Sequence, residues 1–84
     1  MESKFLTFSK VEVKGRKTPI FIVRNKNNFV LLGQINFYPQ WRKYVFEPSE
    51  DVIFDTSCLK DIISFMEEQQ KEWKESLSNM EEKE

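Results

Sequence analysis

The chain has no histidine. That removes the commonest general base and the commonest metal ligand. Its one cysteine, Cys58, allows no internal disulfide framework, and without a histidine partner it excludes Cys–His catalysis. Its two glycines, Gly15 and Gly33, form no phosphate-cradling motif. No apolar run approaches the roughly 20 residues of a membrane span, and no long apolar stretch follows the charged start Met1-Glu2-Ser3-Lys4. The expectation is a cytoplasmic protein with no membrane association, no catalytic residues, no cofactor and no metal. Glu50, Asp51 and Asp55 lack an EF-hand spacing and read as loop and cap residues.

What the chain does have is rings and charge. Of its 84 residues 14% are aromatic, enough large side chains for one small core. Five of the ten side chains in Phe37–Phe46 are aromatic, with Arg42 and Lys43 among them. The formal net charge of −1 hides an asymmetry. Residues 1–48 carry nine Lys or Arg against three acids, a net +6, and residues 49–84 carry four against eleven, a net −7. A basic body with an acidic tail suits an anionic ligand. It equally suits a solvated helix beside a basic sheet.

Residues Phe5–Val13, Thr18–Arg24, Phe29–Phe37 and Trp41–Glu47 read as four strands, rich in β-branched and aromatic side chains. Lys14–Lys17, Asn25–Asn28 and Tyr38–Gln40 read as turns between them, with Pro19 at a strand start. Gly33 marks a bulge or a close backbone approach. Val52–Phe54 reads as a short extended piece. A helix capped by Asp55, Thr56 or Ser57 runs from about Ser57 to at least Gln70 and on to about Met80. The fold class is α+β: an antiparallel meander of about four strands followed by one long C-terminal helix packed on one face. Residues 1–70 form the domain, and 71–84 an acidic helical extension that frays or self-associates.

The helix carries Leu59, Ile63, Met66, Gln70, Trp73, Leu77 and Met80 at alternating spacings of four and three, and Ile62 and Phe65 widen this stripe at its start into a face suited to packing on the sheet. Its later members, Met66, Trp73, Leu77 and Met80, are candidates for a seam with a second copy or a partner; the plain alternative is core. Cys58 lies in the first turn, where a thiolate is favoured, or is simply a small buried residue there. Asp61 interacts with the helix dipole or pairs with a sheet cation.

The ligand candidates lie around the aromatic run. Trp41, Arg42 and Tyr44 form a platform, with Phe37 and Tyr38 at its edge and Lys43 and Arg24 supplying charge; Lys17 adds to them. Aromatic faces beside a guanidinium stack on a base or grip an anion. The same residues also make an ordinary sheet core with a rim arginine.

Two spaced motifs carry a resemblance. Trp41-Arg42-Lys43-Tyr44-Val45-Phe46-Glu47-Pro48 fits W-R-x-Y-x-F-x-P, and Cys58-Leu59-Lys60-Asp61-Ile62-Ile63-Ser64-Phe65 fits C-L-x-D-I-x-x-F. With Val52-Ile53-Phe54 between them and Leu32-Gly33-Gln34-Ile35 before them, the region of about 18–66 resembles small, mostly uncharacterised proteins of bacteriophages, prophages and other mobile elements. The tail after Phe65 departs from shorter members. The resemblance implies a cytoplasmic accessory protein of a bacterial host cell that acts by binding. Such proteins sequester a nucleotide, block a host defence protein, or attach to nucleic acid. Two readings follow: a binder of a nucleotide or short nucleic acid, and a protein that holds a host protein or forms a homodimer through its sheet face or helix.

Overall fold

The computed structural model describes residues 3–82, with side chains described through Leu77. Four strands, β1 (Leu6–Val11), β2 (Ile20–Asn25), β3 (Leu31–Tyr38) and β4 (Lys43–Pro48), precede one helix, α1 (Thr56–Glu82). The strands form one antiparallel sheet in the order β1-β2-β3-β4. This is the α+β meander with a C-terminal helix that the turn residues imply.

Register divides the side chains between two faces. Phe8 opposite Val23, Phe21 opposite Ile35 and Phe37 opposite Tyr44 all face α1. There Leu6, Phe21, Val23, Leu32, Ile35, Tyr44, Ile62 and Phe65 form the core. On the opposite face Ile20, Ile22 and Val45 alternate with Gln34, Asn36 and Glu47, and Asn36 donates a hydrogen bond to Glu47. Among the described residues this face carries no second layer.

The strand ends differ from the sequence expectation by one or two residues: β1 starts after Phe5 and ends before Glu12, β2 starts after Pro19, and β3 takes in Tyr38, expected in the turn; two aromatic residues, Phe29 and Trp41, fall in turns instead. Phe29 is not in β3 but in the turn before it, at φ 59°. Asn25 explains this: its side chain accepts hydrogen bonds from the Asn27 and Asn28 N–H groups at 2.8 and 3.3 Å, and its carbonyl accepts from Phe29 N–H. Trp41 and Arg42 are likewise not in β4. Their N–H groups donate back to the Tyr38 and Pro39 carbonyls at 3.2 and 3.1 Å, and Arg42 sits at φ 54°. Strand alternation therefore begins only at Lys43. Val52–Phe54 is not a strand; Val52 and Phe54 pack on the core while Ile53 is 93% exposed.

A bulge separates β2 from β3: Val23 pairs with Gly33, but Arg24 pairs with Leu31. The extra residue, Leu32, is thereby turned into the core. Gly33 is both the bulge and the close approach anticipated for it, since Phe46 and the Glu47 carbonyl press on the place a Cβ would occupy.

α1 contains no glycine or proline. Asp55 caps it, accepting from Cys58 N–H at 2.8 Å, and these hydrogen bonds hold its carboxyl below the usual aspartate range. Cys58 is half-buried. Burial, then the neighbouring Asp55, pushes its thiol up, so the first turn does not favour a thiolate. Asp61 accepts a hydrogen bond from the buried Ser3 hydroxyl at 2.5 Å, rather than pairing with a sheet cation. That hydroxyl also accepts from Leu6 N–H at 3.1 Å, which ties the chain before β1 to the helix.

The early helix buries only one side of the wide stripe expected there, the Ile62 and Phe65 side, and leaves the first heptad positions out. Ile62 and Phe65 are buried, while Leu59 and Ile63 are exposed. Met66 and Trp73 pack against the core, so these two expected seam residues lean on the domain; Leu77 is half-buried. The Met80 side chain lies outside the described residues. The helix also continues unbroken past residue 70, the boundary expected for the domain.

Gln70, which interrupts the apolar series, has a specific task. β4 is an edge strand. The Gln70 side chain accepts from Tyr44 N–H at 3.0 Å and donates to the Arg42 carbonyl at 3.1 Å. One amide thus stands in for a neighbouring strand and blunts the edge. Gln70→Met keeps volume and helix preference but removes both bonds. The expected cost is about 1–2 kcal/mol, read from urea unfolding. An unchanged midpoint would mean that water replaces the amide without loss.

Candidate functional site

Connections in a meander alternate between the two ends of the sheet. The β1–β2 connection follows Val11 and the β3–β4 turn follows Tyr38, so the two leave the same end. The β2–β3 turn leaves the other. This parity gathers Lys14, Arg16 and Lys17 with Trp41, Arg42 and Lys43. α1 arrives at the same end, because Gln70 bonds Arg42 and Tyr44 while Asp61 bonds Ser3 near the start of β1. Lys74 joins the cations there.

Trp41 is the most available ring of the group. It is 67% exposed, and it is braced by Tyr38, whose ring meets it edge-on with centroids 4.8 Å apart. Arg42 does not stack on Trp41. Its guanidinium lies 5.5 Å from the centroid of the Trp73 ring, on the helix side. Trp73 in turn packs on Phe37 at 4.9 Å, and Phe37 on Tyr44 at 5.4 Å. A continuous line of rings therefore runs from the core to Arg42, and it limits how far that side chain wanders.

Between β4 and α1 lies a groove of about 290 Å³. Tyr44, Ile63 and Met66 line its apolar part, and Arg42, Lys43, Glu67 and Lys74 stand around it. Burial, the strongest influence, raises the Tyr44 phenol above its usual range; Glu72 adds to this and Arg16 opposes it. Arg16, from the other connection, therefore acts electrostatically on a residue of this groove.

The ligand candidates thus do not form one platform. Trp41, Tyr38, Arg42 and Lys43 come together at the basic end. Tyr44 is 8% exposed and offers no open ring face. Phe37 faces the helix, between Tyr44 and Trp73. Arg24 sits at the far end: it pairs with Leu31, donates to the Phe29 carbonyl at 3.2 Å, and is about 23 Å along β3 from Tyr38. Lys14, Arg16, Lys74 and Gln70 belong to this end without having been singled out as ligand residues. Connection parity was the available signal for the first two. Of the four seam candidates, Met66 and Trp73 border this same end, and Leu77 follows one helical turn beyond Trp73.

Among the described residues no three His, Cys, Asp or Glu side chains are grouped to hold a metal, and no helix is long and apolar enough to cross a membrane. No family model matches the chain, and no solved structure matches it. A curated relative does: the "Uncharacterized 9.3 kDa protein" of Acholeplasma phage L2 is 32% identical over 73 residues, which span 87% of this chain and 94% of that protein. Nearly the whole sheet and helix fall within a match of that length, and the match bears out the phage kinship that the two motifs implied. The chain belongs to a family of small phage proteins that includes the 9.3 kDa protein of Acholeplasma phage L2.

Proposed function

We propose that this protein is a phage accessory protein that acts in the host cytoplasm by binding, without chemistry of its own. Its ligand is anionic and partly aromatic, of the nucleotide class, and its capture counters a host defence. The observation that supports this reading is a shared location: the open Trp41 ring and cations from two connections and the helix lie at the same end of the sheet. One base stacked on one ring contributes about 1–3 kcal/mol. Exposed charge pairs add about 0–1 kcal/mol each. With three such pairs, a mononucleotide held this way reaches at most about 6 kcal/mol, a Kd no tighter than tens of micromolar.

Tryptophan emission tests it. The chain has two tryptophans, so Trp73→Phe leaves Trp41 as the only reporter. Titration with nucleoside monophosphates quenches that reporter, and the affinity falls as salt rises. In otherwise wild-type protein, Trp41→Ala lowers affinity at least ten-fold with the melting temperature nearly unchanged, because the ring is largely exposed. A silent reporter at millimolar ligand would contradict the reading.

A second reading has its own observation. Ile53 is exposed in the link before α1, Leu59 and Ile63 are exposed on the helix itself, and Ile63 continues into the groove. A protein partner, or a second copy of this chain, would bury them. Ile63→Glu would then break such a complex and leave nucleotide quenching intact, and the complex itself would be insensitive to salt.

A further inference from the structure

Resting on the nucleotide reading, we infer that the ligand is a single strand of about three nucleotides bridging the two connections, not an isolated nucleotide and not a duplex.

The basic end is two subsites rather than one. The β3–β4 turn supplies one accessible ring, Trp41, with Tyr38 set edge-on against it. It therefore has a place for one base. The β1–β2 connection supplies Lys14, Arg16 and Lys17 around a polar hollow of about 340 Å³, with one acid, Glu12, which Lys10 pairs at 3.5 Å, and no aromatic residue. That is a place for phosphate and not for a base. Its shape is fixed by the Arg16 N–H bond to the Val13 carbonyl at 3.0 Å and by Gly15 at φ 87°, which turns the chain between the cations.

The two subsites are separated by the sheet itself. The middle of one connection and the middle of the other lie two strand spacings apart, about 10 Å. A mononucleotide with its base on Trp41 reaches Arg42 or Lys43 with its phosphate and leaves the second subsite empty. Even at the stacked minimum of about 3.4 Å per nucleotide, about three nucleotides span the gap, and the end base leaves the stack for Trp41. Duplex DNA or RNA brings phosphates to the same cations but keeps its base faces stacked on one another. It forfeits the Trp41 contact, which is open to a splayed base only.

Quenching of Trp41 in the Trp73→Phe protein by a nucleoside monophosphate, a trinucleotide and a short duplex, at low and moderate salt, tests this. The trinucleotide binds at least ten-fold tighter than the monophosphate, and its advantage shrinks as salt rises. In the Lys14→Ala/Arg16→Ala/Lys17→Ala protein, the ratio of the two affinities falls to near one, with the ligand-free melting temperature as the check on folding. The duplex does not quench. Equal affinity of trinucleotide and monophosphate in the parent protein would overturn the bridging inference and leave the nucleotide reading standing. Duplex quenching as strong as the single strand's would overturn it as well. No quenching by any of the three would overturn both.

Discussion

Gly33→Ala is expected to destabilise the protein by about 2–4 kcal/mol, the sum of an overpacked contact and a strained backbone. Gly33 holds φ 152°, a conformation L side chains rarely adopt, and it does so where β2, β3 and β4 meet. An alanine Cβ there would lie 2.5 Å from the Glu47 carbonyl oxygen and 2.9 Å from the Phe46 ring. The ring is not free to withdraw, because its other side meets Phe54 edge-on at 5.5 Å. The carbonyl belongs to β4 backbone, so relief requires the edge strand to shift. A two-state domain of this size holds about 4–13 kcal/mol in total, so the loss is a large share of it. Urea unfolding measures it directly. A midpoint within error of wild type would mean that the bulge relaxes around the new methyl, and that Leu32 is not held in the core by this geometry.

Phe65→Ala is expected to cost about 3–5 kcal/mol, the range for removing a buried phenyl ring. The ring lies parallel to Phe8 at 4.2 Å between centroids and edge-on to Phe21 at 4.8 Å. It therefore joins the outer strand β1 and its neighbour β2 to the helix. Phe65→Leu retains most of the apolar volume and should recover roughly half of the loss. The helix cannot be removed cleanly beyond this point either. Truncation after Phe65 strips Gln70 from the β4 edge and Trp73 from Phe37, so it damages the sheet end as well as any helical seam.

Much of the architecture was legible because turn chemistry is local. Asn25–Asn28 announce their turn through side chains that substitute for backbone partners, and Asp55 announces the helix through its cap. Strand ends shifted by a residue or two, as at Glu12, Pro19 and Tyr38, and the larger departures fall where large apolar residues occupy turns. Phe29 and Trp41 look like strand residues by composition, but only the hydrogen bonds around them reveal otherwise. The site was legible in part. That Arg24 is remote and Lys17 is near follows from the alternation of meander connections, a rule that needs no coordinates. Helix rotation was not legible. Leu59, Ile62, Ile63, Phe65 and Met66 are all apolar, so periodicity alone allows more than one face to meet the sheet. Packing chooses Ile62 and Phe65, and that choice carries Trp73 under Arg42.

The assignment of binding to the basic end of the sheet is tested most directly by amide and indole chemical shifts of the ¹⁵N-labelled protein on adding a trinucleotide. The account predicts changes concentrated at Trp41–Lys43 and at Lys14–Lys17, with Arg24 unmoved. Changes confined to Ile53, Leu59 and Ile63, or no changes at saturating ligand, would contradict it and move the function to the exposed apolar side of the helix.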